Sequence, residues 1–155
     1  MKPLISLQLA DARREFEPGD ELECRYQIDA VDAGEIQAVE ASVLWRSEGK
    51  GEEDMAVHFF RRRTAADIED ADLRARDTFR TILPQSPLSY DGAILKLHWC
   101  VRVRVFARGG RNALTELRFR LGHVPPAQRV DAPEAARAER GESRRRNREP
   151  AADGN

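Results

Sequence analysis

The sequence predicts an all-β fold, two antiparallel sheets packed face to face and followed by a tail, and three observations predict it. Apolar residues recur at every second position through much of residues 1 to 124, the period of strands with one buried face. Turn signals punctuate these runs: Pro18-Gly19-Asp20, Ala33-Gly34, Gly49-Lys50-Gly51, Asp91-Gly92 and Gly109-Gly110. Strong alternation with short connections is the pattern of an antiparallel sandwich. From Pro125 onward Val130 is the only large aliphatic residue and no aromatic occurs. Such a segment buries too little apolar surface to offset its ordering entropy. The chain therefore divides into a sandwich domain, residues 1 to 124, and a disordered tail, residues 125 to 155, rich in Arg, Ala, Glu and Pro.

Seven strands are expected. The first alternates Ile5, Leu7 and Leu9. The second, Glu21 to Asp29, places Leu22, Cys24, Tyr26 and Ile28 on one face and charged or amide residues on the other. The third carries Val39, Ala41, Val43 and Trp45; the fourth Met55, Val57 and Phe59; the fifth runs near Thr78 to Leu83. The sixth, Ile94 to Phe106, is the longest, with Leu95, Leu97, Trp99, Val101, Val103 and Val105 inward and Lys96, His98, Arg102 and Arg104 outward. The seventh sets Leu117, Phe119 and Leu121 against Glu116, Arg118 and Arg120. Residues 64 to 77 form an acidic connection, long for a sandwich, with room for one helical turn.

Composition excludes several classes of function. Of 155 residues 34% are charged, yet 26 Lys and Arg nearly cancel 27 Asp and Glu, for a net charge of -1. The whole chain thus has no electrostatic case for nucleic acid or an anionic membrane. The run Ser143-Arg144-Arg145-Arg146-Asn147-Arg148 is the one cationic cluster of the tail, and it is flanked by acids. No apolar stretch approaches the ~18 residues that would span a bilayer, and no signal-peptide core follows Met1. The expected compartment is the cytoplasm.

Cys24, Trp45 and Cys100 fall on the second, third and sixth strands, in the order of an immunoglobulin disulfide and its packed Trp. Parity opposes the disulfide, because Cys24 shares the inward face with Leu22 and Ile28 whereas Cys100 shares the outward face with His98 and Arg102. Two free thiols are expected, as in a reducing compartment. His58, His98 and His123 form no recognised metal motif with the cysteines; His98 and Cys100 share one strand face but lack an obvious third ligand. No phosphate loop, nucleophile elbow or dinucleotide fingerprint occurs. The expectation is a non-enzyme with no catalytic or metal-binding residues and no cofactor.

Two stretches carry a family resemblance. One is Phe16-Glu17-Pro18-Gly19-Asp20-Glu21-Leu22; the other is Leu83-Pro84-Gln85-Ser86-Pro87-Leu88-Ser89-Tyr90-Asp91-Gly92, which leads into the long strand through Trp99. Together they resemble the arrestin-like β-sandwich family. Phe16, Pro18, Gly19, Asp20, Leu83, Pro84, Pro87, Ser89, Gly92 and Trp99 are the structural positions the resemblance marks. Their residue types also have local reasons. Pro18 presets a turn, Gly19 permits positive φ, and Asp20 bonds nearby amides. The resemblance departs from the family in offering one lobe instead of two, with Cys24 where Gly is frequent and Trp99 where Tyr is frequent.

The resemblance implies a non-catalytic adaptor or scaffold of arrestin-like type that binds another protein through a sheet face or edge. Self-association that supplies the missing lobe is a secondary expectation. The candidate partner-binding residues are the outer row Lys96, His98, Arg102 and Arg104 and the block Arg61, Arg62 and Arg63. The acidic hairpin Glu48 to Asp54 is its counterpart of opposite sign. The competing reading is a nucleic-acid or anionic-surface binder that uses the outer row and the tail arginines. Interleaved aromatics would favour it, but only Phe106 lies on that face of the strand, at its end.

Overall fold

The computed structural model describes residues 2–12, 14–49, 51, 53–67 and 72–122. The expected tail and His123 lie outside the described residues. Among the described residues nine strands form: β1 (Leu4–Leu9), β2 (Glu15–Phe16), β3 (Glu21–Asp29), β4 (Ile36–Gly49), β5 (Asp54–Thr64), β6 (Asp77–Ile82), β7 (Tyr90–Asp91), β8 (Leu95–Ala107) and β9 (Ala113–Leu121). The seven expected strands are the long ones. The two additions, β2 and β7, have two residues each and carry no alternation to read.

A three-stranded sheet, in the order β1-β3-β6, packs against a larger sheet in the order β2-β9-β8-β4-β5, with β7 also on β8. Pairing is antiparallel except for the short β2–β9 contact. In the connection after β5, the expected single helical turn is a 3-10 turn at Ala65–Asp67. It is held by Asp67, whose carboxylate accepts from the Thr64 amide at 2.7 Å.

Alternation explains the core. Leu22, Cys24, Tyr26 and Ile28 of β3 and Phe79 of β6 face Val39, Ala41 and Val43 of β4, Trp99, Val101, Val103 and Val105 of β8, and Phe119 and Leu121 of β9, all buried. Each large aliphatic or aromatic side chain so removed from water stabilises the fold by about 1.5–3 kcal/mol. Aromatic rings tie the layers together. Phe59 of β5 stacks on Phe79 at 5.2 Å, and Phe119 meets Phe16 edge-on at 5.5 Å and Trp99 at 6.0 Å.

The two motif stretches touch one another. Gly19 has φ of +89° and donates its amide to the Leu83 carbonyl at 3.0 Å, while Leu83 donates to the Asp20 carbonyl at 2.9 Å. Asp20 closes its own turn by accepting the Glu17 amide at 2.9 Å. Downstream, the Pro87 carbonyl accepts the indole N–H of Trp99 at 2.7 Å. Ser89 exchanges two bonds with Leu121, each 2.8 Å long. The Pro-rich string is therefore bonded to the start of one sheet and to the last strand of the other.

The fourth expected strand needs a correction. Met55, Val57 and Phe59 do not share a face, because the β4–β5 register shifts between Val43, opposite Phe59, and Leu44, opposite Val57. His58 is the extra residue of a β-bulge, and one inserted residue reverses the side-chain alternation beyond it. Phe59 packs on the core, whereas Met55 and Val57 are exposed.

Candidate functional site

The outer face of the larger sheet brings the predicted basic row together with residues that strand-by-strand reading keeps apart. Register sets Lys96 beside Glu48, His98 beside Arg46, Arg102 between Ser42 and Glu116, and Arg104 between Glu40 and Leu114. Several of these cations are already paired. Glu116 accepts from Arg46 at 2.6 Å and from Arg102 at 2.8 Å, and Lys96 lies 3.9 Å from Asp91. Among the described residues Arg104, Arg118 and Arg120 have no carboxylate within ion-pair distance. Arg118 and Arg120 line a groove of about 180 Å³ together with His98 and Ser89.

Cys100 sits in the middle of this face, opposite Leu44 on one side and Arg118 on the other. The expected parity holds, yet the thiol is buried, with Glu116, Arg46 and Arg118 near enough to act on its charge. Burial and the nearby Glu116 carboxylate push its pKa up to about 11. Cys24 lies within the core, where burial pushes its pKa up to about 12. Both thiols are free. The two residues face opposite sides of the structure, one toward the core and one away from it.

An apolar row borders the cations. Met55, Val57 and Phe60 of β5 are 51%, 50% and 56% exposed and stand beside Arg46, Leu44 and Ser42 of β4. Arg62 continues the row. It bonds Glu40 at 2.9 Å and places its guanidinium 5.5 Å from the Phe106 ring. Sequence reading missed Met55 and Val57 as outer-face residues because the bulge at His58, which nothing in the local pattern announces, reverses the alternation before Phe59.

Arg61 and Arg63, expected with Arg62 as a partner-binding block, point to the other side of β5. They bond Asp77 of β6 at 3.0 and 2.8 Å, and Tyr26 donates its hydroxyl to the same carboxylate oxygen at 3.0 Å. Burial and the Asp77 charge push the Tyr26 pKa up to about 12. Arg61 also reaches the Thr78 carbonyl at 3.4 Å, and His58 donates Nε2–H to the Ile82 carbonyl at 2.7 Å. These carbonyls lie on β6, the edge strand of the smaller sheet. Side chains of β5 thus clasp the two sheets together and occupy acceptors along the β6 edge.

Among the described residues no group of three or more His, Cys, Asp or Glu is placed to hold a metal ion, and no helix is long and apolar enough to cross a membrane.

These features define an all-β sandwich whose larger sheet carries an outer face of mixed cationic and apolar residues. Comparison with solved structures places it beside the crystal structure of Spo0M, a sporulation control protein from Bacillus subtilis, at a TM-score of 0.55 and 12% identity. The similarity covers 81% of this chain and 51% of Spo0M, so the chain spans about half the length of that neighbour. It shows a shared fold, in keeping with the arrestin-like architecture that the two motif stretches resemble. No family profile and no curated protein matches the sequence.

Proposed function

We propose that this protein is a non-catalytic interaction module of arrestin-like type, an adaptor or scaffold. Its outer β5-β4-β8-β9 face takes an acidic, apolar-containing segment of another protein. The observation that supports this is that one sheet face carries both the exposed row Met55, Val57 and Phe60 on β5 and, farther across the same face, Arg104 on β8 and Arg118 and Arg120 on β9, which lack carboxylate partners among the described residues. A face that carries apolar anchors at one side and unneutralised cations across it suits an extended partner that supplies both apolar and acidic side chains. Nucleic acid is the weaker reading. The outer row is partly neutralised by Glu116 and Asp91, and the exposed apolar row offers nothing to a phosphate backbone. A cytoplasmic setting belongs to the same proposal, supported by two thiols that face opposite sides of the sandwich.

The test is fluorescence anisotropy with three labelled probes: an extended peptide alternating Glu and Leu, its Lys and Leu counterpart, and a single-stranded oligonucleotide. Binding of the acidic peptide alone, weakened about tenfold or more in an Arg104→Glu/Arg118→Glu variant, is expected. Binding of the oligonucleotide with a steep salt dependence, and of neither peptide, would overturn the reading.

A further inference from the structure

β5 closes one edge of the larger sheet: it pairs with β4, and among the described residues no further strand follows it. An edge strand with apolar residues and open backbone groups is a template for another strand. The neighbouring edge, β6, is treated differently, since its Thr78 and Ile82 carbonyls are occupied by Arg61 and His58 of β5.

The order of residues along β5 indicates what its edge accepts. The segment reads Glu53-Asp54 at one end, Met55-Ala56-Val57-His58-Phe59-Phe60 in the middle and Arg61-Arg62-Arg63 at the other end. Reversed and laid against itself about its middle, it sets Asp54 against Arg63 and Val57 against Phe60, and lays the stems of Arg62 and Arg61 over Met55 and Ala56. We propose that β5 pairs antiparallel with β5 of a second copy of this chain about a two-fold axis between His58 and Phe59, joining the two larger sheets into one.

In that register Asp54 opposes Arg63 of the other copy, Met55 opposes Arg62, Ala56 opposes Arg61 and Val57 opposes Phe60. Directly opposed residues of an antiparallel pair must lie on the same face. They do here only because of the bulge. Val57 and Phe60 both face outward, as do Met55 and Arg62, whereas Ala56 and Arg61 both face inward. A strand of uninterrupted alternation would put every one of these pairs on opposite faces. The bulge at His58 therefore makes the strand self-complementary. A two-fold contact of this kind is closed, because it uses the β5 edge of both copies. It uses the backbone edge, so the outer face proposed above stays accessible and is doubled.

The register sets a specific test. A Val57→Cys/Phe60→Cys variant brings two pairs of thiols within disulfide distance across the axis, whereas either single variant does not, because its own copies lie about three residues apart along the strands. Mild oxidation is expected to give a covalent dimer from the double variant and not from either single variant or the wild type, whose two cysteines are buried. Sedimentation of the full wild-type chain is expected to show a dimer. An Asp54→Arg variant, which sets like charges opposite one another, is expected to dissociate at about tenfold higher concentration with an unchanged circular dichroism spectrum. A wild-type chain monomeric up to about 200 µM, a dimer indifferent to Asp54→Arg, or equal crosslinking by a single variant would each overturn the proposal. Acidic-peptide binding by a strictly monomeric chain would overturn it too, while leaving the outer-face reading intact.

Discussion

Replacing Asp77 by Asn tests the clasp that holds the two sheets together along the β5–β6 side. One carboxylate oxygen receives the Tyr26 hydroxyl and the guanidinium groups of Arg61 and Arg63 at 2.8–3.0 Å, and the other receives the Thr78 amide at 2.8 Å. The side chains of Asp77, Arg61 and Arg63 are 21%, 22% and 35% exposed. A hydrogen bond to a charged group contributes about 1.5–3 kcal/mol. The contributions overlap, and partial access to water lets the arginines rehydrate, so the full sum is not expected. Asp77→Asn keeps the shape and some acceptor capacity, and should cost about 2 kcal/mol of a total stability of ~5–15 kcal/mol. Urea titration followed by the fluorescence of buried Trp99 measures it. Arg62→Met is the control, because Arg62 is half exposed and its pair with Glu40 should contribute under about 1 kcal/mol. Tyr26→Phe, combined with Asp77→Asn in a double-mutant cycle, should fall short of additivity by at least ~0.5 kcal/mol. Asp77→Asn within about 0.5 kcal/mol of wild type, or no different from Arg62→Met, would refute the reasoning.

Alkaline pH should unfold the protein early. The folded pKa values of Cys24 and Tyr26 are both raised to about 12, chiefly by burial, so the folded state holds protons that the unfolded chain has released. Their stabilisation is complete below the unfolded values near pH 9 and 10 and is lost as pH rises toward 12, at about 1.4 kcal/mol for each unit and group. A urea midpoint that stays flat between pH 9 and 11 would contradict this. Gly122→Ala should cost roughly 1–3 kcal/mol, since Gly122 has φ of +75° and an added methyl would lie 2.7 Å from the Leu88 side chain. An unchanged melting temperature would show that the connection gives way freely.

Much of the fold was legible because period-two alternation is local. Leu22 to Ile28 and Trp99 to Val105 announce their buried face without reference to any other strand. β2 and β7 were not legible, for two residues carry no period. Of the candidate site, the outward direction of Lys96, His98, Arg102 and Arg104 was readable from parity. Which of them are neutralised was not, because Glu116 lies on another strand and reaches Arg46 and Arg102 only through register. Arg61, Arg62 and Arg63 read as one block, yet successive residues of a strand face opposite ways. Two of the three hold Asp77 and the third faces outward.

The sequence by itself determined the all-β class, the long strands and their inward faces, and the opposed directions of Cys24 and Cys100, since each follows from local spacing. Tertiary structure alone decided the bulge at His58, the pairing of Asp77 with β5, and the sharing of one sheet face by Met55, Val57 and Phe60 with arginines of β4, β8 and β9. These depend on strand order and register, and register is set by packing among segments far apart in the chain.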